Sequence, residues 1–165
     1  MRKFLLIGTA LLFSVFMTGC SDSNALAITE KSKVVLIPDG DGGEAVTIAA
    51  FIKNKSDQPS QPFYIEFEIL NSRLQSNLEE TKLMVGENFS DPPGQVYKVK
   101  PHTALQAGRT LRITGEIEEA ALKKIITRNN AVKVNLLSKG HDLIQSSYIN
   151  GFGKDLTADG IDDSK

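Results

Sequence analysis

The chain has 165 residues, 41% of them hydrophobic and 24% charged, with a formal net charge of −1. One domain of ordinary globular composition fits these figures; wholesale disorder, collagen-like repeats and low-complexity chains do not. Near-neutrality argues against a nucleic-acid binder, which needs clustered Lys and Arg, and the single cysteine excludes a disulfide framework and multi-cysteine metal sites.

The chain opens with a basic Met1-Arg2-Lys3, followed by an apolar run from Phe4 to Phe16. A spanning helix needs roughly 20 apolar residues, so this run fits the apolar region of a secretory signal peptide. Met17-Thr18-Gly19-Cys20 comes next and resembles the lipobox of bacterial lipoproteins, with Met17 where that family prefers Leu. The resemblance implies a leader over residues 1–19 and diacylglycerol on the Cys20 sulfur. The membrane then becomes a partner through acylated Cys20, with residues 20–29 forming the anchor and a small, polar tether. Ser21 resembles the outer-membrane sorting signal of Gram-negative lipoproteins. The implied location is the outer membrane facing the periplasm in a Gram-negative cell, and the outer face of the cell membrane in a Gram-positive one. Of the 19 basic residues, Arg2 and Lys3 leave with the leader, so 17 face 20 acidic ones and the formal charge becomes −3. A domain of that net charge has no electrostatic reason to lie flat on anionic lipid.

Residues 30–152 read as short strands separated by turn signals, with 153–165 as an acidic tail. Lys33 to Ile37 is rich in β-branched residues and ends at Pro38-Asp39-Gly40-Asp41-Gly42-Gly43. Glu44 to Asn54 follows with Val46, Ile48, Ala50 and Ile52 on alternate positions, which predicts a hairpin. Phe63, Ile65, Phe67 and Ile69 alternate with Tyr64, Glu66 and Glu68; Leu111, Ile113 and Ile117 alternate with polar residues, as do Val132, Val134 and Leu136. A period of two with one polar face marks antiparallel sheet with one wet side. Between Glu118 and Arg128 the period changes. Ala121, Leu122, Ile125 and Ile126 recur at helical spacing, with acidic residues leading and basic ones trailing as the helix dipole favours. The prediction is an all-β sandwich with one short helix inserted between late strands, its core built on Ile48, Ile65, Phe67, Ile113, Val132 and Val134.

Phe51-Ile52-Lys53-Asn54-Lys55-Ser56, then Gln61 to Phe67, resembles the early strands of bacterial immunoglobulin-like domains. Leu105-Gln106-Ala107-Gly108-Arg109-Thr110-Leu111-Arg112-Ile113 resembles their turn into a following strand. The likeness spans roughly residues 33–150 and implies an immunoglobulin-like antiparallel sandwich of about seven strands. The disulfide and tryptophan of antibody domains are absent, and the inserted helix is a departure.

Side chains that could do chemistry are few. His102 and His141 lack the local spacing of a zinc site and read as surface loop residues. No nucleophile elbow, Cys–His pair or phosphate-cradling loop is present. Glu66 and Glu68 read as solvated charges on one sheet face. The expectation is therefore no catalytic residues and no enzyme, but a non-enzymatic binding or assembly module whose partner is another envelope protein. An envelope enzyme of unknown chemistry is the lesser alternative. The one cofactor reading is calcium. Asp155 to Asp163 resembles the Asp-rich loops of EF-hands, dockerins and integrin-type repeats, which would make Asp155, Thr157, Asp159 and Asp163 side-chain ligands, Ile161 a carbonyl ligand and Gly160 the turn. Calcium-dependent adhesion or ligand binding through that loop is the second functional alternative. Phe89 to Tyr97, around Asp91-Pro92-Pro93-Gly94, is the segment that reads as a contact loop.

Overall fold

A computed structural model describes residues 25–85 and 94–154. Within it the chain forms β1 (Leu26–Ile28), β2 (Lys33–Pro38), β3 (Glu44–Asn54), β4 (Phe63–Ile69), α1 (Ser72–Leu78) and β5 (Lys82–Met84). It continues through β6 (Ala104–Arg112), α2 (Glu119–Arg128), β7 (Val132–Ser138), β8 (Leu143–Ile149) and β9 (Gly151–Gly153). The fold is all-β in architecture, with two sheets stacked as a sandwich. In one, β3 is flanked by β6 on one side and by β1 and β2 on the other, and β9 pairs parallel to β2. The other runs β5-β4-β7-β8 and is antiparallel throughout.

Alternation in the sequence becomes the interior. Val46, Ile48, Ala50 and Ile52 from β3 meet Phe63, Ile65, Phe67 and Ile69 from β4 and Val132, Val134 and Leu136 from β7 in one cluster between the sheets. The hairpin between β2 and β3 forms in the expected register, Pro38 opposite Glu44. β1 lies within the 20–29 stretch and extends the β2 edge of β3, and the 29–32 turn that separates the two is held by Ser32, whose Oγ accepts from the Phe51 amide at 3.0 Å.

Three local expectations are corrected. First, the described residues form two helices, not one. Asn71 caps α1 by accepting the Leu74 amide at 3.1 Å, and Leu74 and Leu78, one helical turn apart, are buried. Second, Leu105 to Gly108 is strand, not turn. Gly108 sits in mid-β6 opposite Ala49, where a Cβ would lie 2.6 Å from the Ile48 carbonyl oxygen. Its missing side chain serves the close approach of two strands rather than a bend. Third, Ile113 lies past the end of β6 and is only half buried against the core.

The open sides of the sandwich are closed differently. At one, Arg109 on the edge strand β6 donates from Nη1 to the Met84 carbonyl at 2.9 Å, tying it to β5, the edge of the other sheet. An inward-turned charge on an edge strand also discourages edge-to-edge association. At the other, the chain passes from β8 in one sheet through Asn150 to β9 in the other. α2 connects β6 to β7 across the sheets, as its sequence predicted, with Leu122, Ile125 and Ile126 in the shared core.

Candidate functional site

Two surfaces concentrate polar residues whose placement needs explaining. The first is the end of the sandwich where the described chain enters. There the Lys55 amide donates to the Ala25 carbonyl at 2.7 Å and the Asn54 amide to Thr103 at 2.9 Å. Asn54 is fully buried at the end of β3 and organises the following loop. Its Nδ2 donates to the Gln58 and Val99 carbonyls at 2.7 and 3.1 Å, and its Oδ1 accepts from the Ser56 amide and hydroxyl at 3.0 and 2.8 Å. Ser60 completes the clamp, its Oγ accepting from the Val99 amide at 2.9 Å. The Lys-Asn ending of β3 thus has a physical role. One amide side chain satisfies the backbone groups of two loops that neither sheet can pair. His102 is on this end too, 2.7 Å from Asp57 through Nε2. Both side chains are largely exposed, and the His102 backbone adopts a φ of 56°. A His–Asp pair orients a base only when a nucleophile stands beside it, and no serine, threonine or cysteine is bonded to His102 among the described residues.

The second surface is the outer face of the β5-β4-β7-β8 sheet. Glu66 was expected to be solvated, yet it is only 7% exposed. Its Oε2 lies 3.0 Å from Lys82 Nζ and its Oε1 accepts from Asn135 Nδ2 at 2.9 Å, so both oxygens are engaged. The register explains this correction: Glu66 stands opposite Met84 on β5 and Asn135 on β7, in the middle of the face. The hydrogen bond and charge of Glu66 raise the Lys82 pKa above its ordinary value. Glu68, nearer the end, meets Lys133 at 3.7 Å. Asn135 Oδ1 is buried without a partner among the described residues. At the other end of the face Tyr64 stacks on His141 with ring centroids 5.2 Å apart, beside Leu137 and a Leu143 that is 58% exposed. His141 therefore stands on a loop, as expected, with its ring against an aromatic face.

A third acidic group, in the β2–β3 turn, is already neutralised. Arg112 Nε meets Asp39, and its Nη2 lies 2.6 Å from Asp41. Hydrogen bonds to Asp41 and Asp39 raise the Arg112 pKa further. A guanidinium thus occupies the carboxylates that a cation would need. Among the described residues no three His, Cys, Asp or Glu side chains gather as a metal site. The expected lipidation residue Cys20, the expected calcium loop of Asp155, Thr157, Asp159, Ile161 and Asp163, and residues 89–93 of the expected contact loop all lie outside the described residues. Of that loop, Val96 is exposed, while Tyr97 is half-buried, bridged to Phe63 and packed against its ring at 6.3 Å.

No protein-family model, curated protein or solved structure matches this chain.

Sequence reasoning missed the partners of Glu66 because they are 16 and 69 positions away and belong to different strands. The signal that was legible is weaker: Lys133 and Asn135 alternate with Val132, Val134 and Leu136, as Glu66 and Glu68 do with Ile65, Phe67 and Ile69. Two polar faces of adjacent strands meet whenever their apolar faces share a core.

Proposed function

We propose that the protein is a lipid-anchored component of the bacterial envelope that acts as a non-enzymatic binding or assembly module. One observation carries the reading. The lipobox residues Met17 to Cys20 end five positions before Ala25, whose carbonyl is already bonded to Lys55 of the folded domain. A diacylated cysteine there would hold the sandwich directly at a bilayer, because two acyl chains give the stable attachment that one cannot. Among its described residues, the domain brought to the surface offers hydrogen-bonded polar side chains without a nucleophile set beside a base, which supports binding over catalysis.

The finer fold assignment belongs to the same proposal. The strand orders β2-β3-β6 and β4-β7-β8 correspond to the A-B-E and C-F-G arrangements of immunoglobulin-like sandwiches, with β5 added beside the second. That correspondence supports an immunoglobulin-like domain with α2 set between its E and F strands. Fold-level likeness leaves the partner open.

The test is Cys20→Ala in the native host, with cell fractionation and metabolic labelling by an alkynyl fatty acid. The parent chain should float with membranes and carry the label, and the variant should lose both. A parent chain that is unlabelled, or a variant that still partitions with membranes, would overturn the anchor.

A further inference from the structure

Charges in the described domain are sorted along the long axis. β3 runs that axis, and its eleven residues span roughly 36 Å at about 3.3 Å each. At its Asn54 end stand the starts of β1 and β6, the 55–62 loop and the β7–β8 turn, since Leu26 pairs with Asn54, Ala104 with Lys53 and Phe63 with Ser138. This end exposes Lys53, Lys55, Lys98, Lys100 and Lys139, none of which has an ion-pair partner among the described residues. The acidic residues there are Asp57, taken up by His102, and Asp142. At the Glu44 end the balance is slightly acidic. Around the two helices Glu79, Glu80, Glu116, Glu118 and Glu119 are matched by Arg73, Lys123, Lys124, Arg128 and Lys154, the last paired to Glu119 at 2.7 Å, so the excess of acid at this end is the small one of the β2–β3 turn, where Asp39, Asp41 and Glu44 face Arg112. A net charge near zero or slightly negative therefore conceals a basic pole and a weakly acidic one.

The chain enters at the basic pole. Five Cα–Cα steps separate Cys20 from Ala25, a reach of at most roughly 18 Å when extended. That reach keeps the Asn54 end near the surface and leaves the Glu44 end a further β3 length away, several Debye lengths at physiological salt.

We propose that the lysine pole docks on anionic phospholipid headgroups and stands the sandwich upright, with its Glu44 end pointing away from the membrane. The inference rests on the anchored reading and adds an orientation to it. Phosphate headgroups fit the chemistry: five flexible ammonium groups on one end, spread over three separate stretches of chain, suit a diffuse anionic surface better than a single shaped ligand. The docking is weak by itself and becomes effective because the tether holds the pole at a high local concentration.

The test uses the acylated chain purified from membranes and reconstituted in two vesicle types, phosphatidylcholine alone and phosphatidylcholine with phosphatidylglycerol. An amine-reactive reagent labels lysines and mass spectrometry reads the sites. In the anionic vesicles Lys53, Lys55 and Lys100 should label roughly five-fold less than in neutral ones, while Lys123 and Lys124 label equally in both. The contrast should vanish at about 0.5 M salt, and Lys53→Glu with Lys55→Glu should remove the protection of Lys100. Flotation with vesicles but equal labelling in both types overturns the orientation and leaves the anchor standing. A chain that floats with neither vesicle type overturns the anchor, and the orientation with it.

Discussion

The two sheets present opposite solutions on their outer faces. On the β3 sheet, the residues that point away from the shared core are Val35 from β2 and Ala45, Thr47, Ala49 and Phe51 from β3, all buried and mostly small or apolar. Their polar contribution is one hydroxyl pair, Thr47 to Thr110 at 2.8 Å. On the β4 sheet, the corresponding positions carry Glu66, Glu68, Lys82, Lys133 and Asn135, joined by ion pairs and a hydrogen bond. The same strand geometry thus tolerates either an apolar face or a polar one, provided every buried charge has its partner. β3 accordingly reads as a nearly continuous apolar run, while β4 alternates.

The sharpest way to break this comparison is to truncate one phenylalanine on each side. Phe67→Ala empties a fully buried site between the sheets and should cost about 3–5 kcal/mol in urea unfolding. Phe51→Ala, outside that cluster, should cost less than about 2 kcal/mol. Equal losses would mean that the outer face of the β3 sheet is a second core rather than a covering.

Next in size is Asn54→Ala, which should cost about 2–3 kcal/mol because the Gln58 and Val99 carbonyls lose a donor and Ser56 an acceptor inside the fold. Hydrogen exchange should quicken in residues 55–62 and around Val99 before it does so in β4. Unchanged stability would show that water replaces the amide without penalty. Asn54→Asp sharpens the point: it keeps the acceptor and loses the donor, so it should retain the Ser56 turn and release Val99.

The polar face of the β4 sheet is tested by an asymmetric pair. Lys82→Ala leaves the Glu66 carboxylate nearly buried with Asn135 as its remaining partner, whereas Glu66→Gln leaves an exposed ammonium that water can solvate. The first should cost about 1–3 kcal/mol and the second about 1 kcal/mol. The double variant should lose less than the sum of the two, since it discards the charge and its partner together. An additive cycle would show that the two side chains are neighbours without coupling.

These contrasts explain which parts of the structure could be read from the chain. The β2–β3 hairpin, the alternating strands and α2 were legible because each depends on local periodicity and short-range turn chemistry. β6 was misread at its start because Leu-x-Ala-Gly carries the same residues as a turn, and only the neighbouring Ile48 backbone shows that Gly108 is needed for proximity. α1 is not legible in the sequence because its seven residues give fewer than two full helical repeats, too few for periodicity to decide. The Glu66 pair and the lysine pole were illegible for a different reason. Their members are scattered over strands far apart in sequence, and only the register assembles them.

The smallest effect is alkaline, and it separates the sheet face from the Asn54 end of the sandwich. Lys82 has its pKa raised by the hydrogen bond and charge of Glu66, and Tyr97 has its pKa raised by burial against Phe63. For Lys82 the folded state holds its proton more tightly than the unfolded chain. The contribution is therefore complete below the unfolded value near 10.5 and is lost as pH rises through the folded one. Tyr97 acts in the same direction from pH 10.0 upward, because the unfolded phenol ionises first and draws the equilibrium toward unfolding. Lys82 is more than half exposed, so solvent screening keeps its share below about 1 kcal/mol. Stability measured from pH 8 to 11.5 should be flat to about 10 and then fall. Glu66→Gln should flatten the part beginning near 10.5, while Tyr97→Phe should remove the part that begins earlier. A parent chain whose stability does not change above pH 10 would mean that neither group is held differently in the fold. A loss that survives both substitutions would place the alkaline sensitivity elsewhere in the chain.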